Sequence, residues 1–87
     1  MKKSGHVLLV DDEKQMLLGY KAMLLTEGIE DVLAVDDSRK VMDLLDEDDV
    51  SAVVLDLNMP YIPGHVLLEK IKSEFPHIAV IIVTAAN

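Results

Sequence analysis

Val7-Leu8-Leu9-Val10, followed at once by Asp11-Asp12, is the stretch that decides how this chain folds. Four apolar residues, β-branched at both ends and bounded by Gly5 on one side and acids on the other, suit a strand buried on both faces of a parallel sheet. The pattern recurs. Ala52-Val53-Val54-Leu55 stops at Asp56, and the most hydrophobic run, Ile78 to Val83, stops at Thr84. Val32 to Val35 is a weaker strand signal between the first two.

Helical patterns fill the gaps. From Glu13 to about Glu27, Met16, Leu17, Tyr20, Met23 and Leu24 recur at helical spacing, and Gly28 follows as a stop signal. Ser38 is placed to cap a second helix through Leu45, and a third runs from Val66 to Phe75 until Pro76 ends it. The stretch from Asn58 to Gly64, with Pro60 and Pro63, reads as a loop. Strands alternating with helices of about ten to fifteen residues predict right-handed crossovers and an α/β fold whose parallel sheet is covered on both faces. Met16 and Met23, seven apart, are expected in the core, and His6, His65 and His77 on the surface or in loops.

Composition narrows the function. At 87 residues the chain forms one domain of modest stability, and a hydrophobic content of 51% argues against disorder. A net charge of -8 excludes this segment as a direct binder of nucleic acid or of anionic membranes and favours a cation or a basic protein as partner. The lack of cysteine excludes disulfide and thiolate chemistry and suits the cytoplasm. Met1-Lys2-Lys3 has the charge of a secretory signal, but the apolar run behind it is too short and ends in acids, and no run is long enough to cross a bilayer. The acidic tract Asp46 to Asp49 lacks the glycine and closing glutamate of a calcium loop and reads as a solvated helix end.

In a parallel sheet the residues just past each strand gather along one edge, where ligands bind. Here they are Asp11, Asp12, Asp56 and Thr84. Acids set together behind buried strands repel each other and raise each other's pKa values unless a cation sits among them. Magnesium takes oxygen ligands, usually one or two protein carboxylates, and often phosphate oxygens as well. With Mg2+ neutralising the cluster, one carboxylate is left to attack phosphorus, and Asp56, standing singly between Leu55 and Leu57, is the best placed. The Thr84 hydroxyl is a donor for a phosphoryl oxygen. Taken singly, Asp12 is an ordinary helix cap, Asp56 a turn residue and Thr84 a strand former; their joint placement carries the chemistry.

Three segments, VLLVDDE at 7 to 13, LDLNMP at 55 to 60 and VTA at 83 to 85, resemble the motifs of response-regulator receiver domains, in that family's order and spacing. The resemblance spans essentially the whole chain. It implies a flavodoxin-like doubly wound sheet, with Asp11 and Asp12 holding Mg2+ and Asp56 as phosphoacceptor and further ligand. Asn58 would add its backbone carbonyl, and Thr84 would be the switch hydroxyl. Met59-Pro60 and Gly64 would shape the pocket, while Asn58 and Ala86 would tune phosphoryl lifetime. The implied donor is a histidine kinase or phosphotransfer protein. The implied activity is that of a two-component switch with only slight self-phosphorylation and self-dephosphorylation, its output resembling transcription regulation.

Residues 1–87 match a receiver domain that is incomplete at its carboxyl end: the family's fourth helix, fifth strand and fifth helix have no counterpart, so the expected strand order is 2-1-3-4. The lysine and aromatic of that fifth strand are also missing, which implies poor phosphorylation of this segment alone. Its fourth strand would be an edge, and a homo-oligomer through that edge and the uncovered face is expected. Other classes fit less well. A magnesium-dependent aspartyl-phosphate phosphohydrolase of the haloacid-dehalogenase type carries Asp-x-Asp after its first strand, whereas here the pair is adjacent and no insertion forms a lid. A flavin module would need a phosphate-binding loop where this chain is acidic. A receiver-like interaction module without phosphorylation is the remaining alternative.

Overall fold

The computed structural model describes residues 5–83. Its strands are β1 (His6–Val10), β2 (Val32–Val35), β3 (Val50–Asp56) and β4 (Ala79–Val83); its helices are α1 (Lys14–Thr26), α2 (Val41–Glu47), entered through a 3-10 turn at Ser38–Lys40, and α3 (Gly64–Glu74). All strand pairings are parallel, and the sheet runs β2-β1-β3-β4, the expected order.

Successive side chains on a strand point to opposite faces, so register decides which residues meet. Leu8, Val53 and Val80 are level with one another, as are Val10, Leu55 and Ile82. Leu8, Val10, Val53 and Leu55 from this face join Val41 and Leu45 of α2 and Leu67 and Ile71 of α3 in a single buried cluster. The other face carries Leu9, Val54 and Ile81 in register. There α1 lies against β1 and β2, and Leu9 and Leu17 are buried, but Ile81 on β4 is exposed. Among the described residues cover over this second face is therefore partial, in line with the uncovered face expected above and unlike the full cover that alternation alone predicts.

Local signals hold with three corrections. Gly28 ends α1 in the left-handed region, φ 87°, as its position predicts. Ser38 is not the cap of the second helical segment: Asp37 accepts the Arg39 N–H at 2.9 Å, and Ser38 turns inward instead. Met16 and Met23 are exposed on α1, where Leu17 is the buried residue, because periodicity shows which residues share a face and not whether anything covers it. His6 lies in β1 and is half-buried, and its Nδ1 has no hydrogen-bond partner among the described residues. No helix among the described residues is long and apolar enough to cross a membrane.

Candidate functional site

Strand pairing brings the acids together. Val10 is level with Leu55, so Asp11 and Asp56 follow side by side at the carboxyl ends of β1 and β3. One carboxylate oxygen from each of Asp11, Asp12 and Asp56 lies within 4.8 Å of the others. Asp11 is buried, Asp56 half-buried and Asp12 exposed, which leaves the cluster open to solvent on one side.

Asp11 is fixed from two directions. Its N–H donates to the Val35 carbonyl of β2 at 3.3 Å, and its Oδ1 accepts the Glu13 N–H at 2.9 Å. That second bond turns the chain into α1, a job the sequence suggests for Asp12; no side chain caps the helix itself. Burial pushes the Asp11 carboxyl above its ordinary range, and the negative charges of Asp56, Asp12 and Glu13 add to this, against the opposing pull of the Glu13 N–H. Tyr20 is raised too, first by burial and then by Asp11 and Asp56. Among the described residues the ion pairs are Lys14 with Asp36 and Arg39 with Asp37, neither on the three acids. A compact set of hard oxygen donors whose buried member resists ionisation fits a small divalent cation such as Mg2+.

Asp56 opens a loop that is held tightly. Its Oδ1 accepts the Asn58 N–H at 3.1 Å, which leaves Oδ2 without a protein donor among the described residues. At the far end Gly64 donates its N–H to the Leu57 carbonyl at 3.2 Å, and a Cβ on Gly64 would sit 2.7 Å from the Asp56 carbonyl oxygen. Only glycine allows that approach. Between them Tyr61 takes φ 70°, unusual for a residue with a side chain. Its exposed ring lies beneath the Arg39 guanidinium, 3.7 Å from ring centroid to Cζ, and Arg39 is in turn held by both oxygens of Asp37 at 3.0 and 2.8 Å. Asp37 is accordingly lowered to about 2 by its hydrogen bonds with Arg39.

Ser38 completes the tie. It is 2% exposed; its Oγ donates to the Pro60 carbonyl at 2.9 Å and accepts the Ile62 N–H at 3.1 Å. Sequence reasoning misses this role, because a serine before a helical pattern looks like a cap and its loop partners are more than twenty residues away. Asn58 is exposed, and its N–H is the group that bonds Asp56. Thr84 and Ala86 lie outside the described residues; Val83, immediately before Thr84, is level with Asp56.

Residues 7–87 match the sequence profile of the family described as the response regulator receiver domain. The chain is 38% identical over 82 residues to response regulator protein FleR of Pseudomonas aeruginosa, covering 94% of this chain and 17% of that protein. It is 32% identical to chemotaxis protein CheY-3 of Vibrio cholerae over 87 residues, covering 98% of this chain and 67% of the relative. Among solved structures, a response regulator receiver domain protein from Clostridium thermocellum superposes with a TM-score of 0.81 at 33% identity, over 91% of this chain and 64% of that one. The chain thus spans about a sixth of FleR and two thirds of CheY-3.

Proposed function

We propose, from the premise that this chain belongs to the response regulator receiver domain family, that it takes a phosphoryl group on Asp56 from a histidine kinase or phosphotransfer protein. Receiver domains act as signalling phosphoacceptors in two-component systems, and the relatives fit that role. The observation that carries the assignment to Asp56 is the cluster of three carboxylates within 4.8 Å, in which Asp56 has one oxygen anchored by the Asn58 N–H and the other without a protein donor among the described residues.

Asp11, Asp12 and Asp56 would hold Mg2+, with the backbone carbonyl of Asn58 as a further ligand. When bound, the ion supplies positive charge against the carboxylates and the incoming phosphoryl oxygens. The Asn58 N–H holds Oδ1 of Asp56, and Oδ2 would meet the donor. A bond forms between Oδ2 and phosphorus while the donor's bond to phosphorus breaks, and that electron pair leaves with the donor. The acyl phosphate carries roughly -1.5 to -2 of charge in place of the single charge of the Asp56 carboxylate, beside an Asp11 that already resists ionisation. Thr84 would answer that charge as the switch hydroxyl; its support is that Val83, one residue earlier, pairs with Asp56. The charge biases a two-state output face, so information passes as a shift in population. The output is assigned to transcription regulation and the compartment to the cytoplasm, which a chain without cysteine suits. Among the described residues β4 stands at the end of the sheet with Ile81 and Ile82 exposed, and it is the surface this segment offers for self-association.

Treating the full-length protein with acetyl phosphate and Mg2+, then mapping the acyl phosphate by mass spectrometry, tests the assignment. One label per chain on Asp56, absent from Asp56→Asn, is the expected result. A label elsewhere, or an Asp56→Asn protein still fully labelled, overturns it. Repeated turnover of a generic phosphate ester would instead favour a phosphohydrolase.

A further inference from the structure

Two loops that the sequence separates are joined beside the acidic cluster, and the joint reaches no carboxylate of that cluster. Ser38 sits at the start of the segment that enters α2, 2% exposed, and its hydroxyl bridges the Pro60 carbonyl and the Ile62 N–H. One residue on, Arg39 is locked by Asp37 and lies over the Tyr61 ring. The three loop residues 60–62 are therefore held from inside by a buried hydroxyl and from outside by a stacked cation. Tyr61, between the two bonded residues, has a left-handed backbone, uncommon for a residue with a side chain.

We infer that Ser38, with the Asp37–Arg39–Tyr61 stack, is a latch that positions the loop carrying Asn58 and thereby sets how tightly the acidic cluster holds a divalent cation. The inference rests on the metal reading above and adds residues that touch neither the ion nor the phosphoryl group. Ser38 is a positioning residue. Asn58 lies two residues before Pro60, and its N–H holds one oxygen of Asp56. If Pro60 and Ile62 lose their anchor, Asn58 loses its fixed distance from β3, and both Asp56 and the Asn58 carbonyl lose their aim. Groups that orient metal ligands act in this way, and removing one weakens metal affinity by about ten- to a hundredfold.

The test is a Mg2+ titration of the full-length protein and its variants by NMR, with amide hydrogen exchange followed in the same samples. Ser38→Ala is expected to raise the Mg2+ Kd about tenfold and to accelerate exchange at the Ile62 amide, while Ser38→Thr, which keeps the hydroxyl, restores both toward the parent. Arg39→Gln, at an exposed position, is expected to raise the Kd about two- to fivefold. An unchanged Kd in Ser38→Ala, whatever happens at Ile62, overturns the latch as a device acting on the metal. If Ser38→Ala does not fold, Arg39→Gln decides: an unchanged Kd there overturns it equally. Failure of the parent protein to bind Mg2+ at all sinks the metal reading itself and the latch with it, an outcome distinct from a variant that binds normally.

Discussion

On the face of the sheet beneath α2 and α3, Leu8, Val53, Leu55, Leu67 and Ile71 are shut off from water. On the opposite face Ile81 is 53% exposed, and the α1 residues Leu18, Met23 and Leu25 are 68%, 56% and 58% exposed. The two faces are built from equally apolar residues on the same strands. What separates them, among the described residues, is the number of helices laid over each: two lie on the first, and α1, set against β1 and β2, lies on the second. Apolar composition therefore does not measure contribution to stability. A side chain stabilises by the area it removes from water, and the same leucine contributes nearly its full transfer energy on one face and little on the other.

The sharpest break in that comparison is Leu67→Ala. Leu67 is fully buried in the cluster between α3 and β3, so truncation removes its burial and leaves a cavity, an expected loss of about 2–5 kcal/mol. Urea unfolding measures it, and a loss under about 1 kcal/mol would mean that the sealed face is looser than its burial indicates.

An intermediate effect is expected at the acidic end, where burial works against the fold. Asp11 is held above its ordinary value of 3.8, so the unfolded chain ionises first and ionisation favours unfolding. The penalty is absent below that value and fully present once pH exceeds the raised folded value. Asp11→Asn should therefore melt at higher temperature than the parent at neutral pH without metal, and the gain should vanish as pH falls toward 3.8. Added Mg2+ should reverse the ranking, because it stabilises the parent by mass action and the variant far less. Equal melting temperatures in metal-free buffer would show that Asp11 is better solvated than its 4% exposure implies.

The smallest effect belongs to the open face. Leu25→Lys on α1 replaces a side chain already 58% exposed, and the expected change is within about 0.5 kcal/mol. A loss near that of Leu67→Ala would show that this face is covered in solution by something beyond the described residues, and the contrast between the faces would fail.

Much of the site was legible because its signals are local. A strand-length apolar run that stops at an acid places the acid at a strand end, and parallel strands bring such ends to one edge; Asp11, Asp12 and Asp56 follow from that alone. Gly64 was legible only through the resemblance to receiver domains, and the structure supplies its reason, since a Cβ there would sit 2.7 Å from the Asp56 carbonyl oxygen. Ser38 was misread because capping and bridging begin from the same residue type, and only the direction of the side chain separates them. Met16 and Met23 were misread because a helical stripe in a sequence carries no information about its cover.

From the order of residues alone came the alternation of strands and helices, the parallel sheet, and the carboxylates gathered at its edge, because these depend on periodicity and on what ends each run. Tertiary structure alone decided which apolar face is dry, which carboxylate is buried, and that Ser38 ties residues 60–62 to the entrance of α2. Those depend on contacts between segments far apart in the chain, where solvent exclusion and hydrogen-bond direction are set by neighbours that no local pattern names.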